Sequence, residues 1–347
     1  MRRYPPKIGI KMTLETPIQK KVSLHSSIRL RRLRSHSTLR QLIRDVVLVP
    51  QHFVLPLFII AGKNIKNPIA SMPGCYQFSL DQLTAEIKSI VNLNILAVML
   101  FGIPDKKDAV GSSAWSSQGI IQQAISEIKN LAPQLLIITD LCFCEYTDHG
   151  HCGVLDASHG VDNDATLELL ARQAVSHAKA GSDVIAPSGM MDGMVQAIRQ
   201  GLDDEGFSQL PILSYAVKYA SSFYGPFREA AQGTPQFGDR KSYQMDTANT
   251  SECLREVELD IQEGADMLMV KPAGAYLDII YKIKQKFPAI PLAAYQVSGE
   301  YAMIKAAAQR GWLDENAVML ESLIAIKRAG ANFIISYFAK DVVKLIQ

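Results

Sequence analysis

Residues 142–152 hold three of the chain's five cysteines, Cys142, Cys144 and Cys152, with His149 and His151 between the last two. Three thiolates form a soft donor set that suits Zn²⁺. Three protein ligands leave a fourth position for water or substrate, the arrangement of a catalytic site. A fourth ligand from His149 or His151 would instead close the site as a structural one, and the spacing leaves both readings open. Cys142 and Cys144 stand two apart, so an extended chain presents both sulfurs on one side. A turn through Gly150 returns Cys152 to them. Cys75 and Cys253 have no metal-spaced neighbours and read as ordinary buried thiols. An odd number of cysteines, crowded in this way, points to metal rather than disulfides and to a cytoplasmic enzyme.

Two lysines carry the second chemical signal. Lys271 is the polar ending of Met267-Leu-Met-Val-Lys-Pro272, and Lys218 follows the apolar run that contains Tyr215. Burial and a neighbouring cation lower a lysine's pKa and give the neutral amine that attacks a ketone. A lone lysine at a strand end ordinarily reaches out to solvent. Two of them beside a thiol cluster favour the chemical reading.

The elements that must position these groups are legible as apolar runs at 54–60, 95–101, 135–141, 183–188, 212–215, 267–272, 292–297 and 333–338. Their lack of internal alternation suits strands buried on both faces of a parallel sheet. Helical patterns lie between most of them, at 81–91, 119–131, 167–180, 194–202, 252–264 and 316–328. Eight such strands alternating with helices predict an α/β fold, a (β/α)8 TIM barrel over residues 45–347. An open doubly wound sheet is the alternative, but no GxGxxG follows the first strand. Six of the eight strands end on a reactive side chain: Asp140 with Cys142, Ser188, Lys218, Lys271, Ser298 and Tyr337. In a barrel these ends share one mouth.

Residues 1–44 form an extended N-terminal arm with twelve of the 36 Lys/Arg and one acid, Glu15. The remaining 24 basic and 33 acidic residues leave the body near −9. Such an arm reads as a nucleic-acid ligand, an organelle address or a strap onto acidic sister subunits. Tyr4 is the only aromatic before Phe53, which argues against single-stranded nucleic acid. No apolar run reaches the roughly 18 residues of a membrane span, and no secretory signal is apparent, so a soluble protein with no membrane or nucleic-acid partner is expected.

At these residues the chain resembles the porphobilinogen synthase (5-aminolevulinate dehydratase) family, from about Arg29 onward. The likeness takes in the cysteine segment, Ala186-Pro-Ser-Gly-Met-Met-Asp-Gly193, the two lysine segments, Arg240-Lys-Ser-Tyr-Gln-Met-Asp246, Tyr295-Gln-Val-Ser-Gly-Glu-Tyr301 and Ser336-Tyr-Phe338. The resemblance implies condensation of two 5-aminolevulinate molecules per site to porphobilinogen, in tetrapyrrole biosynthesis. By it, Lys271 forms the Schiff base with the first substrate and Lys218 with the second. Ser298 and Tyr337 hold the first carboxylate; Arg228, Arg240 and Gln244 hold the second. Ser188 and Phe223 complete the substrate-binding set, Asp140 carries a proton, and Cys142, Cys144 and Cys152 hold a catalytic zinc. Residues 219–246 resemble the family's lid. The resemblance also implies a homo-octamer joined by the arms, with Arg29-Leu-Arg-Arg-Leu-Arg34 matching the arm signature. Glu256 matches a position where some members carry Mg²⁺, although a helix acid four residues before Asp260 also reads as a solvated face. Asp148 departs from the serine common there and adds a negative charge near the metal. The competing readings are a class I aldolase-like lyase with one Schiff-base lysine and a structural zinc, and a nucleic-acid-binding protein using the arm.

Overall fold

The computed structural model describes residues 28–347, so the arm's first part, residues 1–27, lies outside the described residues. The chain divides into two compact units, Met1–Asp45 and Val46–Gln347. In the first, a 3₁₀ turn at Leu30–Arg34 and a short helix at Ser37–Leu42 bury none of their own side chains. The second unit contains the strands β1 (Phe53–Ile60), β2 (Lys66–Pro68), β3 (Tyr76–Phe78), β4 (Ala97–Ile103), β5 (Leu136–Leu141), β6 (Val184–Pro187), β7 (Leu213–Lys218), β8 (Met267–Lys271), β9 (Leu292–Gln296) and β10 (Phe333–Ser336).

Eight of these strands run parallel in the order β6-β5-β4-β1-β10-β9-β8-β7. The two outer strands meet through a parallel bridge between Ile185 and Ile212, where the Ile185 amide donates to the Pro211 carbonyl at 3.1 Å. The sheet is therefore a nearly closed (β/α)8 barrel. All seven residues of β4 and seven of eight in β1 are buried, because each strand faces the interior on one side and a helix on the other. Helices follow the strands with ordinary end signals. Asp162 caps Asn163–Ala180 by accepting from the Ala165 amide at 3.0 Å, and Gly181 ends it at φ +101°. Among the described residues no helix is long and apolar enough to cross a membrane.

All eight expected strands form, within a few residues of their expected ends. The small antiparallel pair β2–β3 was not foreseen; β3 also lies parallel to β1, opposing Phe58 to Gln77. Three residues per strand are too few to show a period.

At the base of the barrel one device recurs on alternate strand pairs. Asp183, just before β6, accepts the Ile137 amide of β5 at 2.7 Å. Asp266, before β8, accepts the Ile212 amide beside β7 at 2.8 Å. Asn332, before β10, accepts the Leu292 amide of β9 at 2.9 Å. Each ties an edge amide that the staggered ladder leaves unpaired. Asp183→Ala, Asp266→Ala and Asn332→Ala are each expected to lower stability by about 1 kcal/mol. Their effects should add, because the three pairs share no partner, and kcat should not change, because the base lies away from the mouth. Urea unfolding of the single and triple variants, read beside turnover, checks this.

Candidate active site at the barrel mouth

The register of β7 against β8 sets Lys218 directly across from Lys271. Both are buried, at 4% and 5% exposure. The Lys218 Nζ donates to the Ser188 carbonyl. The Lys271 Nζ stands 4.4 Å from the Tyr295 ring centre and 5.1 Å from those of Tyr215 and Phe227. Burial first, and the Lys218 charge second, bring the Lys271 amine down to about 7, against the opposing pull of Asp140. At neutral pH a large part of Lys271 is therefore the free amine, which is the nucleophilic form.

Asp140 ends β5 across the mouth. Its Oδ2 accepts from the Ser188 hydroxyl at 3.1 Å, while its buried Oδ1 has no partner among the described residues. Burial raises its pKa, and the two lysines oppose that rise. A second carboxyl, Glu145, lies in the same cavity and is pushed up to about 7 by burial, then by Asp140 and Cys152. Sequence reasoning passed over Glu145, a single acid between Cys144 and Tyr146 with no spacing pattern of its own.

The three cysteine sulfurs lie within 4.8 Å of one another and all are buried. Four-coordinate zinc with sulfur at about 2.3 Å sets sulfurs about 3.8 Å apart, so small side-chain shifts seat the ion. The route by which the sulfurs converge differs from strand alternation. The strand stops at Leu141, and the chain turns with the Tyr146 amide donating to the Phe143 carbonyl at 2.8 Å. The turn brings the Cys142 and Cys144 sulfurs to 3.3 Å. Hydrogen bonds from those two thiols hold Cys152 well below the ordinary thiol range, with Arg240 and Lys218 adding to the effect. His149 and His151 spend their ring nitrogens elsewhere. His149 bonds the Ala109 carbonyl and the His151 amide, and His151 bonds Tyr243 and the Phe237 carbonyl. The cluster is thus three thiols with no histidine.

The remaining wall is cationic. Arg240 Nη2 donates to the carbonyls of Gly150 and Gly233 at 2.9 and 2.6 Å. Its Nε, the Arg228 Nε and both amide atoms of Gln244 are buried without partners among the described residues. Buried polar atoms without partners are rare and call for one, and planar guanidinium groups match a carboxylate.

Of the expected residues, Asp140, Cys144, Ser188, Lys218, Arg228, Arg240 and Lys271 line one cavity. It has a volume of about 10 Å³, room for about one water. Ser298 and Tyr337 stand one layer behind it. The Ser298 hydroxyl accepts from the Phe227 amide at 2.9 Å and meets the Phe223 carbonyl at 3.3 Å, while Tyr337 bonds Tyr295 at 3.0 Å. Tyr224 and Phe227, not Phe223, supply the cavity's aromatic wall from this segment. Gln244 faces an adjoining opening that also contains Glu256, Glu252 and Asp192. Burial, then Glu252 and Asp192, raises the Glu256 carboxyl.

Residues 27–345 match the delta-aminolevulinic acid dehydratase family. The delta-aminolevulinic acid dehydratase of Halalkalibacterium halodurans is 55% identical over 314 residues, which is 90% of this chain and 95% of the relative. That of Synechocystis sp. is 54% identical, covering 92% of this chain and 99% of its own. The solved delta-aminolevulinic acid dehydratase (porphobilinogen synthase) of Toxoplasma gondii ME49, in complex with the reaction product porphobilinogen, superposes with a TM-score of 0.89. It is 42% identical and covers 92% of this chain and 91% of its own.

The lowered Lys271 pKa has a direct readout. Protons compete for its lone pair below about 7. Its labelling by an amine-selective reagent should therefore rise nearly tenfold per pH unit below that value and level off above it. Peptide mapping across pH 5–9 measures this; a rise that continues to pH 10 would contradict the burial argument.

Proposed function

The chain belongs to the delta-aminolevulinic acid dehydratase family, and on that premise we propose how its residues carry out the family's reaction. It condenses two 5-aminolevulinate molecules to porphobilinogen with loss of two waters. The observation that carries the mechanism is the cross-strand pairing of Lys218 with Lys271 on the rim that also bears the three thiols.

The neutral Lys271 amine attacks the ketone of the first substrate and expels water, leaving an iminium. Positive charge beside the reacting carbon then makes the adjacent C–H protons acidic. Lys218 captures the second ketone in the same way. Ser298 and Tyr337, which stand behind the cavity with the lid segment packed over it, hold the first carboxylate once that segment lifts. The second goes to Arg228, Arg240 and Gln244, whose unpartnered atoms support that role. Asp140, held by the Ser188 hydroxyl and beside that of Tyr215, takes and returns protons at the reacting carbons. Cys142, Cys144 and Cys152 would hold Zn²⁺, which, when bound, supplies a Lewis acid that lowers the pKa of an amine or water. Because the cavity takes about one water, two substrates require segment 219–246, Phe223 included, to lift and close again.

Two buried lysines in register argue against the aldolase-like reading, which needs only one. The arm is a strap between subunits in a homo-octamer, a reading supported by the exposed Ile28, Leu30, Leu33 and Leu42. Mg²⁺ at Glu256 is supported by the carboxylates of Glu252 and Asp192 beside it. Cytoplasmic residence is supported by five free cysteines.

Chelation should abolish turnover and Zn²⁺ restore it. Cys144→Ala should cost at least about a hundredfold in kcat, by loss of Lewis-acid chemistry, while the barrel stays folded by circular dichroism. Unfolding of the triple cysteine variant would make the metal structural. Borohydride reduction separates the lysines. Lys271→Ala should lose trapping of the first substrate at low concentration. Lys218→Ala should keep that trapping yet fall by roughly a thousandfold or more in porphobilinogen formation. Label appearing first on Lys218 in the intact enzyme would reverse the assignment.

A further inference from the structure

The helix Gly225–Ala230 carries Phe227 and Arg228 to the cavity. Six residues are too few for a helix to stand alone in water, so its place must be set from outside. Its N-terminal half is held by chemistry already described: the Ser298 hydroxyl on the Phe227 amide. The Phe227 ring also packs against Phe101 and Phe58 at 5.0 and 5.7 Å.

The C-terminal end is held by two residues with no role in the reaction described above. Helix ends leave carbonyls without internal partners. The Gln77 side chain, buried on β3, donates to the Ala230 carbonyl at 2.7 Å. Lys107, on the loop after β4, donates to the Gln232 carbonyl at 2.5 Å. These donors reach the lid from two separate connections, 153 and 125 residues away in sequence. Gly233 follows at once, so close to Cys144 that an added Cβ would lie 3.0 Å from its carbonyl oxygen. The lid end is therefore clamped between Gln77, Lys107 and the thiol-bearing turn.

We propose that Gln77 and Lys107 are positioning residues for the second substrate: they fix the end of the lid helix and thereby seat the Arg228 guanidinium where the second carboxylate arrives. The small β2–β3 pair then has a function, as the mount for Gln77. This inference rests on the reading of Arg228 as a carboxylate ligand. Substrate affinity falls with the fraction of enzyme in the competent, closed form, so loss of the clamp acts on KM. The closed complex, once saturated, turns over as before.

The test uses the full-length, zinc-loaded enzyme and the variants Gln77→Met, Lys107→Met, the double variant, Lys107→Arg and Arg228→Met. Two ordinary hydrogen bonds set the scale: KM for 5-aminolevulinate should rise about fivefold in Lys107→Met and about thirtyfold in the double variant. kcat should stay within about threefold. Amide exchange over residues 225–233 should speed up by the same factors, with β4 and β8 unchanged. Lys107→Arg, which keeps a donor, should restore both readouts. Lys107 is partly exposed, so its variant remains informative even where Gln77→Met fails to fold. Arg228→Met should raise KM without faster exchange, and an unchanged KM there would refute the reading of Arg228. A raised KM in Arg228→Met, with unchanged KM or unchanged exchange in Lys107→Met, would overturn the clamp.

Discussion

Two primary amines lie side by side at the ends of adjacent parallel strands, inside a protein, and the rest of the site is arranged around that fact. At effective dielectric constants typical of protein interiors, like charges a few ångströms apart repel by a few kcal/mol. Desolvation adds to this cost, and Lys271 answers by giving up its proton near neutrality. The carboxyls of Asp140 and Glu145 moderate the field but are themselves held up by burial. The mouth therefore contains acids and bases whose pKa values have been drawn toward one another. Groups matched in this way can exchange protons with substrate in either direction at one pH.

The same rim leaves polar atoms unsatisfied. Asp140 Oδ1, Arg228 Nε, Arg240 Nε and both amide atoms of Gln244 are buried without partners among the described residues. An interior tolerates few such atoms, and these five lie on the walls assigned to incoming carboxylates and protons. Substrate supplies the missing partners on this reading, so part of its binding free energy is the relief of a deficit built into the fold. The lid must then be held without relying on the substrate. A six-residue helix gains that anchorage from Phe227, Ser298, Gln77 and Lys107 rather than from its own hydrogen bonds.

The barrel and its reactive rim were legible because buried parallel strands are uniformly apolar, so a lysine or aspartate ending one stands out. That contrast identified Lys218, Lys271, Asp140 and Ser188, and the crowding of cysteines identified the thiol cluster. What the pattern could not supply is everything set by turns and by contacts distant in sequence. Cys142 and Cys144 meet through a turn, not through strand alternation. Tyr224 and Phe227 line the cavity where Phe223 was expected, because two successive helical turns, Ser222–Tyr224 and Gly225–Ala230, decide which side chains face inward. Gln77 bonds a residue 153 positions away and Glu145 bonds only its neighbour Cys144, and no local period announces either contact.

The two ends of the barrel divide opposing demands. At the base, Asp183, Asp266 and Asn332 satisfy amides that strand stagger would leave open. At the mouth, orphaned atoms and a lysine in an apolar setting are retained at a cost in stability. A parallel barrel makes this division natural, since every strand contributes one residue to each end and a change at the base leaves the mouth's geometry to the packed layers between them. Those layers are close-packed and respond little to small changes at either end. The ties at the base can therefore help offset the cost of the mouth without either end constraining the residue types used at the other. That independence lets one rim hold paired lysines, a three-thiol cluster and two arginines with unpartnered nitrogens at once.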